Sequence, residues 1–424
     1  MQQKSAQMRD PIGLTIACAA VFSLIAFVRF QLPSTPYFDE VHYLPAAREW
    51  LSNGRFINQE HPPLAKQLIA LSIGLFGDNA IGWRAFSLAS GVLALFASMR
   101  AMWFATQSRF ASIAFGLLLA SGFLLFIHAR IAMLDIFMVA FMAVAGWQYA
   151  AAIRQPESAR IGLIVTGIAL GAAMASKWNA APLAMLPGLA FLLARIAARR
   201  RRPLASQRGL PIPGISLLEA TLWLGVVPLI VYAMTFAPAL GLREDPFSDG
   251  GLIVLHQAML DLQTQVLTPH PYQSNWPDWV FNIRAIWYLY EDIDGAQRGI
   301  MLIGNPLTML LGLPALLWCL LTGVTQRNWT RLVMVAGYAV SLGLWVLAEK
   351  PVQFYYHYFL PSFFLLGALA LALDALWNNG HRLLAGGIVL ASCALFAWFY
   401  PILSAAPLDG PDAFLTWTWL DSWR

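Results

Sequence analysis

Charge is what this sequence has least of. Of 424 residues, 12% are charged and 59% hydrophobic, whereas a typical soluble domain carries about 25% charged residues. Such a chain cannot clothe a soluble surface, and a soluble globular fold is excluded. Cysteine is scarce as well. Cys18, Cys319 and Cys393 sit inside apolar runs without ligand spacing and read as packed thiols, silent on redox compartment. No inverted internal repeat is visible, which disfavours a secondary transporter. The formal charge of +5 is not gathered into a basic patch with interleaved aromatics, which argues against a nucleic-acid partner. The first apolar run, about 11–31, is long and lacks a small-residue cleavage site, so it is expected to remain as a membrane anchor.

What is present is a series of apolar runs, each long enough to cross a hydrocarbon core of about 30 Å as a helix. Spans are expected near 11–31, 84–104, 110–128, 132–152, 161–176, 179–196, 216–237, 299–322, 331–348, 355–376 and 383–403. The pattern predicts an all-α polytopic membrane protein of about eleven transmembrane helices: one domain over 1–403 and a short Trp-rich tail over 404–424. The run Arg195, Arg199, Arg200, Arg201, Arg202, Arg208 sets orientation by the positive-inside rule. Lys4, Arg9, Arg109, Arg154, Arg160, Arg327, Arg331 and Arg382 then fall on the same cytoplasmic side, with the N-terminus. Of the 22 acids, only Asp10, Glu157, Glu219 and Asp374 join them. The outer face keeps the rest, and two of its loops, 32–83 and 238–298, are too long to be simple connectors. Within them Val41–Leu51, Leu64–Phe76 and Leu252–Leu267 have helical apolar spacing and are expected to lie along the membrane surface.

The first outer loop opens on Tyr37-Phe38-Asp39-Glu40-Val41-His42-Tyr43. A charge at a membrane boundary is costly unless solvated or used. An acidic pair flanked by aromatics suits a general base for an attacking hydroxyl, and equally suits an interfacial helix capped by Asp39. Further on, Glu60-His61-Pro62-Pro63-Leu64-Ala65-Lys66 starts a helix that presents Lys66 one turn in, where phosphate is favourably held. Further candidates on this side are Trp83-Arg84, His128, Arg130 and Lys177, each of which also reads as an interfacial residue that snorkels. Asp135 lies at the start of an apolar run. Pairing with Arg130 or Arg84 would rationalise it, as a structural ion pair or as an active-site wall.

Several of these segments, in this order, resemble one known family. They are Phe38-Asp39-Glu40, His61-Pro62-Pro63-Leu64-Ala65-Lys66, Leu75-Phe76-Gly77-Asp78, Trp83-Arg84, Arg130-Ile131-Ala132-Met133-Leu134-Asp135, Gly304-Asn305-Pro306 and His357-Tyr358-Phe359-Leu360-Pro361. The chain is similar to the protein O-mannosyltransferases, a branch of the C-type membrane glycosyltransferases, over roughly residues 30–370. The second outer loop has no room for the carbohydrate-binding-like domain of the eukaryotic members, so the likeness is to the compact bacterial type.

The resemblance implies an inverting transferase that moves a sugar, mannose by family likeness, from a polyprenyl-phosphate carrier to a hydroxyl acceptor, Ser or Thr of an exported protein, at the outer face of a bacterial inner membrane. It implies Asp39 as catalytic base, Glu40 as its partner and Arg84 as an essential neighbour, and places His61 and Lys66 in a signature loop. Fixed cations would stabilise the phosphate as it leaves; Arg84 and Lys66 are the first expectation, Arg130 and Lys177 the next, with Asp135 beside them. No cofactor is expected. A divalent metal on Asp39, Glu40 and Asp135 is the lesser reading, because the family is regarded as metal-independent. Trp50, Trp276, Trp287, Tyr355 and Tyr356 are candidates to line the sugar or prenyl site, or belong to the interfacial aromatic belt. Other readings are transfer to lipid A or a surface glycan, a transporter or flippase, and a non-catalytic membrane partner.

Overall fold

The computed structural model describes residues 9–198, 204–248, 250–265, 268–348 and 350–424. Lys4, the central arginines of the orientation-setting run (199–202) and the last two residues of the 252–267 stretch lie outside the described residues.

In lipid every backbone group must be satisfied within the protein, and this chain does so with helices. α1 (Ile12–Phe27) is followed by α2 (Glu40–Leu51) and α3 (Leu64–Phe76), then by α4 (Ala80–Thr106), α5 (Arg109–Ala120), α6 (Leu124–His128), α7 (Leu134–Arg154) and α8 (Ala159–Ser176). α9 (Ala181–Ala184) with α10 (Leu186–Ala197), and α11 (Leu217–Thr221) with α12 (Val227–Met234), make two further crossings. α13 (Gly251–Gln263), α14 (Trp276–Val280) and the strands β1 (Ile286–Ile293) and β2 (Ala296–Leu302) form the second loop. α15 (Pro306–Thr325), α16 (Trp329–Leu347), α17 (Phe359–Asn378) and α18 (Arg382–Leu403) complete the bundle. Nine helical segments among the described residues are long and apolar enough to cross a membrane. With the shorter α1 and α5 they account for the eleven expected spans.

Helix starts follow from side chains that satisfy the first free N–H groups. Asn79 accepts from Ile81 and Gly82 at α4, Ser108 from Ala111 at α5, and Asn328 from Arg331 at α16. Close packing needs small residues at crossings. A Cβ at Gly167 of α8 would lie 2.0 Å from the carbonyl oxygen of Trp223, so only glycine lets these backbones approach.

Two expectations are corrected. The span over 110–128 is broken: α5 ends at Ala120 and α6 starts at Leu124, with Phe123 at φ 74°. The break is stable because Asn305 fills it. Its side-chain amide donates to the carbonyls of Ser121 (2.9 Å) and Ser392 (3.1 Å), and its backbone N–H to Gly122 (3.3 Å). The span near 299–322 begins only at Pro306. Residues 296–302 instead pair antiparallel with β1, because a short continuous apolar run reads alike as buried strand or helix. The tail packs along this hairpin: Leu408 N–H bonds Gln297 (2.9 Å), and the Trp287 indole donates to the Trp423 carbonyl (2.9 Å).

The first loop is fixed to the bundle by one buried ion pair. Arg84, a turn into α4, meets Glu40 at the start of α2 through Nε–Oε1 and Nη2–Oε2, both 2.8 Å, and neither side chain is exposed at all. The guanidinium also donates to the carbonyls of Phe30, Pro33 and Thr35, while Glu40 accepts from the backbone N–H groups of Ala132 (2.9 Å) and Tyr37 (3.3 Å). Removing one partner of a buried pair strands the other, at a cost of about 3–5 kcal/mol. Arg84→Met should therefore lower the thermal midpoint markedly. The double variant Arg84→Met, Glu40→Met should melt above the single one, because the stranded carboxylate is gone. Equal melting of parent and Arg84→Met would contradict this role.

Candidate active site

Asp39 sits at the junction of α1 and α2 as the N-cap residue of α2, yet its side chain caps nothing. Phe38 before it is held at φ 49°, a backbone region that bulky residues avoid. Its ring stacks on Tyr288 at 3.9 Å and meets the edge of Tyr356 at 5.9 Å. The aromatic clamp and the Glu40 anchor on either side hold this strained turn, and with it the half-buried Asp39. The carboxylate of Asp39 joins none of the ion pairs among the described residues. The Tyr43 hydroxyl approaches it only to 3.5 Å, too long for a strong bond. Burial pushes its pKa up to about 6, against the pull of Lys177 and with the push of Asp135.

Around Asp39 stand cations and rings from four other parts of the chain. Lys177, at the end of α8, donates to both oxygens of Asp135 in the first turn of α7 (2.9 and 2.7 Å), and both side chains are buried. Lys350, after α16, reaches Gln263 of α13 at 3.3 Å; burial first, and Lys177 next, lower its pKa to about 8. Burial and the neighbouring Lys177, Lys350 and Lys66 hold the His61 imidazole well below its usual pKa, in the neutral form. Burial, with Asp39 next, raises the hydroxyls of Tyr43 and Tyr288 well above the ordinary range, so both remain protonated donors. His357 stacks on Trp345 at 3.7 Å and accepts the Phe354 N–H on Nδ1 at 3.1 Å. That assigns the proton to Nε2, a buried N–H with no acceptor among the described residues.

The expected site residues divide sharply. Asp39, His61, Asp135 and Lys177 share this chamber. Glu40 does not: its oxygens are consumed by Arg84, Ala132 and Tyr37, so it positions Asp39 instead of meeting substrate. Arg84 is likewise saturated and leaves no donor for a phosphate. Lys66 is fully buried and gives its protons to the carbonyls of Asn58 (2.5 Å), His61 (2.8 Å) and Ile57 (3.5 Å). It fixes the loop that carries His61, and burial lowers its pKa to about 7. Arg130 donates to the carbonyls of Ala26, Val28, Arg29 and Ser404, closing the end of α1. The expected pairing of Asp135 with Arg130 or Arg84 is replaced by Lys177. Among the aromatics, Tyr356 lines the chamber, its ring centroid 5.1 Å from Lys177 Nζ, whereas Tyr355 is taken up by Asn282 and Gly304.

Lys350 and Tyr288 were missed, and His357 carried no assigned role. Lys350 offered a signal, since it is a lone cation just past the apolar run of α16. A carboxylate cage for a metal does not fit. Glu40 and Asp135 are already paired, and no group of three such ligands converges among the described residues. The chamber can instead ionise a base, hold a neutral imidazole and present ammonium groups to an anion.

Comparison with known proteins agrees over nearly the whole length. Residues 16–80 and 75–242 match the family model for dolichyl-phosphate-mannose-protein mannosyltransferase, and 250–423 the model for the C-terminal four-transmembrane region of protein-O-mannosyltransferase. The polyprenol-phosphate-mannose–protein mannosyltransferase of Mycolicibacterium smegmatis is 27% identical, the alignment covering 97% of this chain and 93% of the relative. That of Corynebacterium glutamicum is 26% identical, with the same coverage. A chain of the Saccharomyces cerevisiae protein O-mannosyltransferase Pmt1-Pmt2 complex bound to the sugar donor superposes with a TM-score of 0.83, over 98% of this chain and 93% of that one, at 15% identity. ArnT from Cupriavidus metallidurans bound to undecaprenyl phosphate gives 0.57 at 19% identity, over 92% and 66%. The fold is that of the C-type membrane glycosyltransferases, and the chain belongs to the dolichyl-phosphate-mannose-protein mannosyltransferase family.

Proposed function

We propose that this chain transfers mannose, with inversion, from a polyprenyl-phosphate carrier to a serine or threonine hydroxyl of a protein, using Asp39 as base. The observation that carries the reading is an unpaired, half-buried carboxylate facing the ammonium groups of buried Lys177 and half-buried Lys350, in a chain of this family. The acceptor oxygen forms its bond to the anomeric carbon as the bond from that carbon to the phosphate oxygen breaks. The hydroxyl proton passes to Asp39, and the departing electron pair stays on the phosphate.

Charge grows on the phosphate as it leaves, so fixed cations favour the transition state over the ground state. Lys177 is largely neutralised by Asp135, which leaves Lys350 as the cation least committed elsewhere. The Nε2–H of His357 and the neutral His61 supply hydrogen bonds to sugar or phosphate. Inversion follows from Asp39 acting as base without a nucleophilic partner, since retention requires a second carboxylate about 5–5.5 Å away; Glu40 and Asp135 are both paired, and Glu60 is held by the Asn58 amide. The prenyl tail stays in lipid. No metal is required on this account, because the ammonium groups already meet a monophosphate leaving group. The Asp39 end of the bundle faces outward across a bacterial inner membrane: Arg9, Arg154, Arg160, Arg327 and Arg382 stand at the opposite end, as the positive-inside rule asks.

Purified protein in lipid, given polyprenyl-phosphate-mannose and a Ser/Thr peptide, should release mannosylated peptide, and EDTA should leave the rate unchanged. No transfer from this donor by folded protein would overturn the assignment. Asp39 must be ionised and Lys350 protonated, so kcat/KM should rise with pH through about 6 and fall above about 8. A flat profile from pH 5 to 9 would contradict both assignments. Lys350→Met should lower kcat by about tenfold to a hundredfold, the scale of one lost charge-stabilising contact, and abolish the upper limb of the profile.

A further inference from the structure

At the end of the bundle opposite Asp39, the tips of α4, α15, α16 and α17 surround a cavity of about 560 Å³, within the range of about 300–1,000 Å³ usual for small-molecule sites. It takes no part in the chemistry above. Its wall holds one cation and one anion, Arg331 of α16 and Asp374 of α17, which form no ion pair with each other. Opposite charges at the edge of an apolar bundle would ordinarily close on each other. Here each is held back by other contacts.

Arg331 lies 4.2 Å over the ring of Trp318 and gives one N–H to Gln326 Oε1 at 2.7 Å. Its remaining guanidinium N–H groups have no acceptor among the described residues. Asp374 is fixed by the Ser108 hydroxyl at 2.5 Å and by Asn378 at 3.2 Å, with the Ala111 N–H beside them, which still leaves a lone pair for a further donor. Next in sequence to lining residues of α15 and α16 the helix surface is apolar and exposed: Leu321 is 58% exposed, Val324 62% and Trp329 75%. A ligand with an anion at one end, a hydrogen-bonding cation at the other and an apolar tail fits all three features.

We propose that this cavity is a binding site for the headgroup of a phosphoethanolamine lipid, with its phosphate on Arg331 and its primary ammonium on Asp374. A quaternary ammonium cannot donate to Asp374, and a headgroup without a cation leaves that carboxylate facing the phosphate. The site therefore selects phosphatidylethanolamine over both phosphatidylcholine and phosphatidylglycerol. The proposal does not depend on the transfer reaction.

Native mass spectrometry of the full chain, exchanged from detergent into mixtures of the three lipids, reads retained lipid directly. The parent should keep phosphatidylethanolamine about tenfold over phosphatidylcholine, the effect of one charge-assisted hydrogen bond. Soluble glycerophosphoethanolamine at equal concentration should not displace it. Asp374→Asn should erase the ethanolamine preference yet keep phosphatidylglycerol, while Arg331→Gln should lose both lipids. Equal retention of the three lipids by the parent, a result that needs no variant to fold, overturns the proposal. Displacement by the soluble headgroup overturns it as well, as does an unchanged preference in both variants.

Discussion

The bidentate contact between Glu40 and Arg84 is the constraint on which the catalytic end depends. Neither group can be solvated where it lies, so each must have all its hydrogen bonds made by protein, and together they collect five backbone groups from two stretches of chain, residues 30–37 and Ala132. The price of burying both charges is met by this saturation. The consequence is positional. Glu40 cannot move, so Asp39, one residue earlier, projects from a fixed and strained turn with no ion pair among the described residues and only the long contact from the Tyr43 hydroxyl. Two adjacent carboxylates thus acquire opposite roles: one is neutralised and silent, the other left unpaired with its pKa lifted toward neutrality. A base is useful in that second condition.

A similar division runs through the cations. Lys66 and Arg130 spend their protons on main-chain carbonyls and hold loops, while Lys177 and Lys350 face the chamber. Gln263 couples the two outer loops, donating to the Glu60 carbonyl and accepting from Lys350. Contacts made by α13 therefore reach the loop that carries His61. The second loop, short as it is, completes the site by supplying Tyr288 from β1 and support for Lys350.

Much of this was legible in the sequence where hydrophobic length alone decides, since a run of some twenty apolar residues has few alternatives to a spanning helix. The surface helices over 41–51 and 64–76 were legible for the same reason, their periodicity being helical. The β-hairpin was not, because Ile300 to Leu302 continue an apolar run into α15 and no local signal separates strand from helix there. Nor was the break at Ser121 to Phe123, whose stability comes from Asn305, far off in sequence. At the site, sequence and resemblance singled out Asp39 but could not tell a presented cation from a consumed one. Arg84 and Lys66 look as available as Lys177 until their partners are seen, and apart from Glu40 on Arg84 those partners are backbone carbonyls, which carry no sequence identity.

The account rests on Asp39 performing chemistry while its neighbours hold geometry, and the most direct test is Asp39→Asn in purified protein, with donor binding and mannosyl transfer measured side by side. Removing a charge that burial disfavours should leave the fold and the affinity for polyprenyl-phosphate-mannose near those of the parent, while transfer falls by about 10²–10⁴-fold, the contribution of a general base. Transfer that persists in a folded, donor-binding Asp39→Asn protein would contradict the central claim.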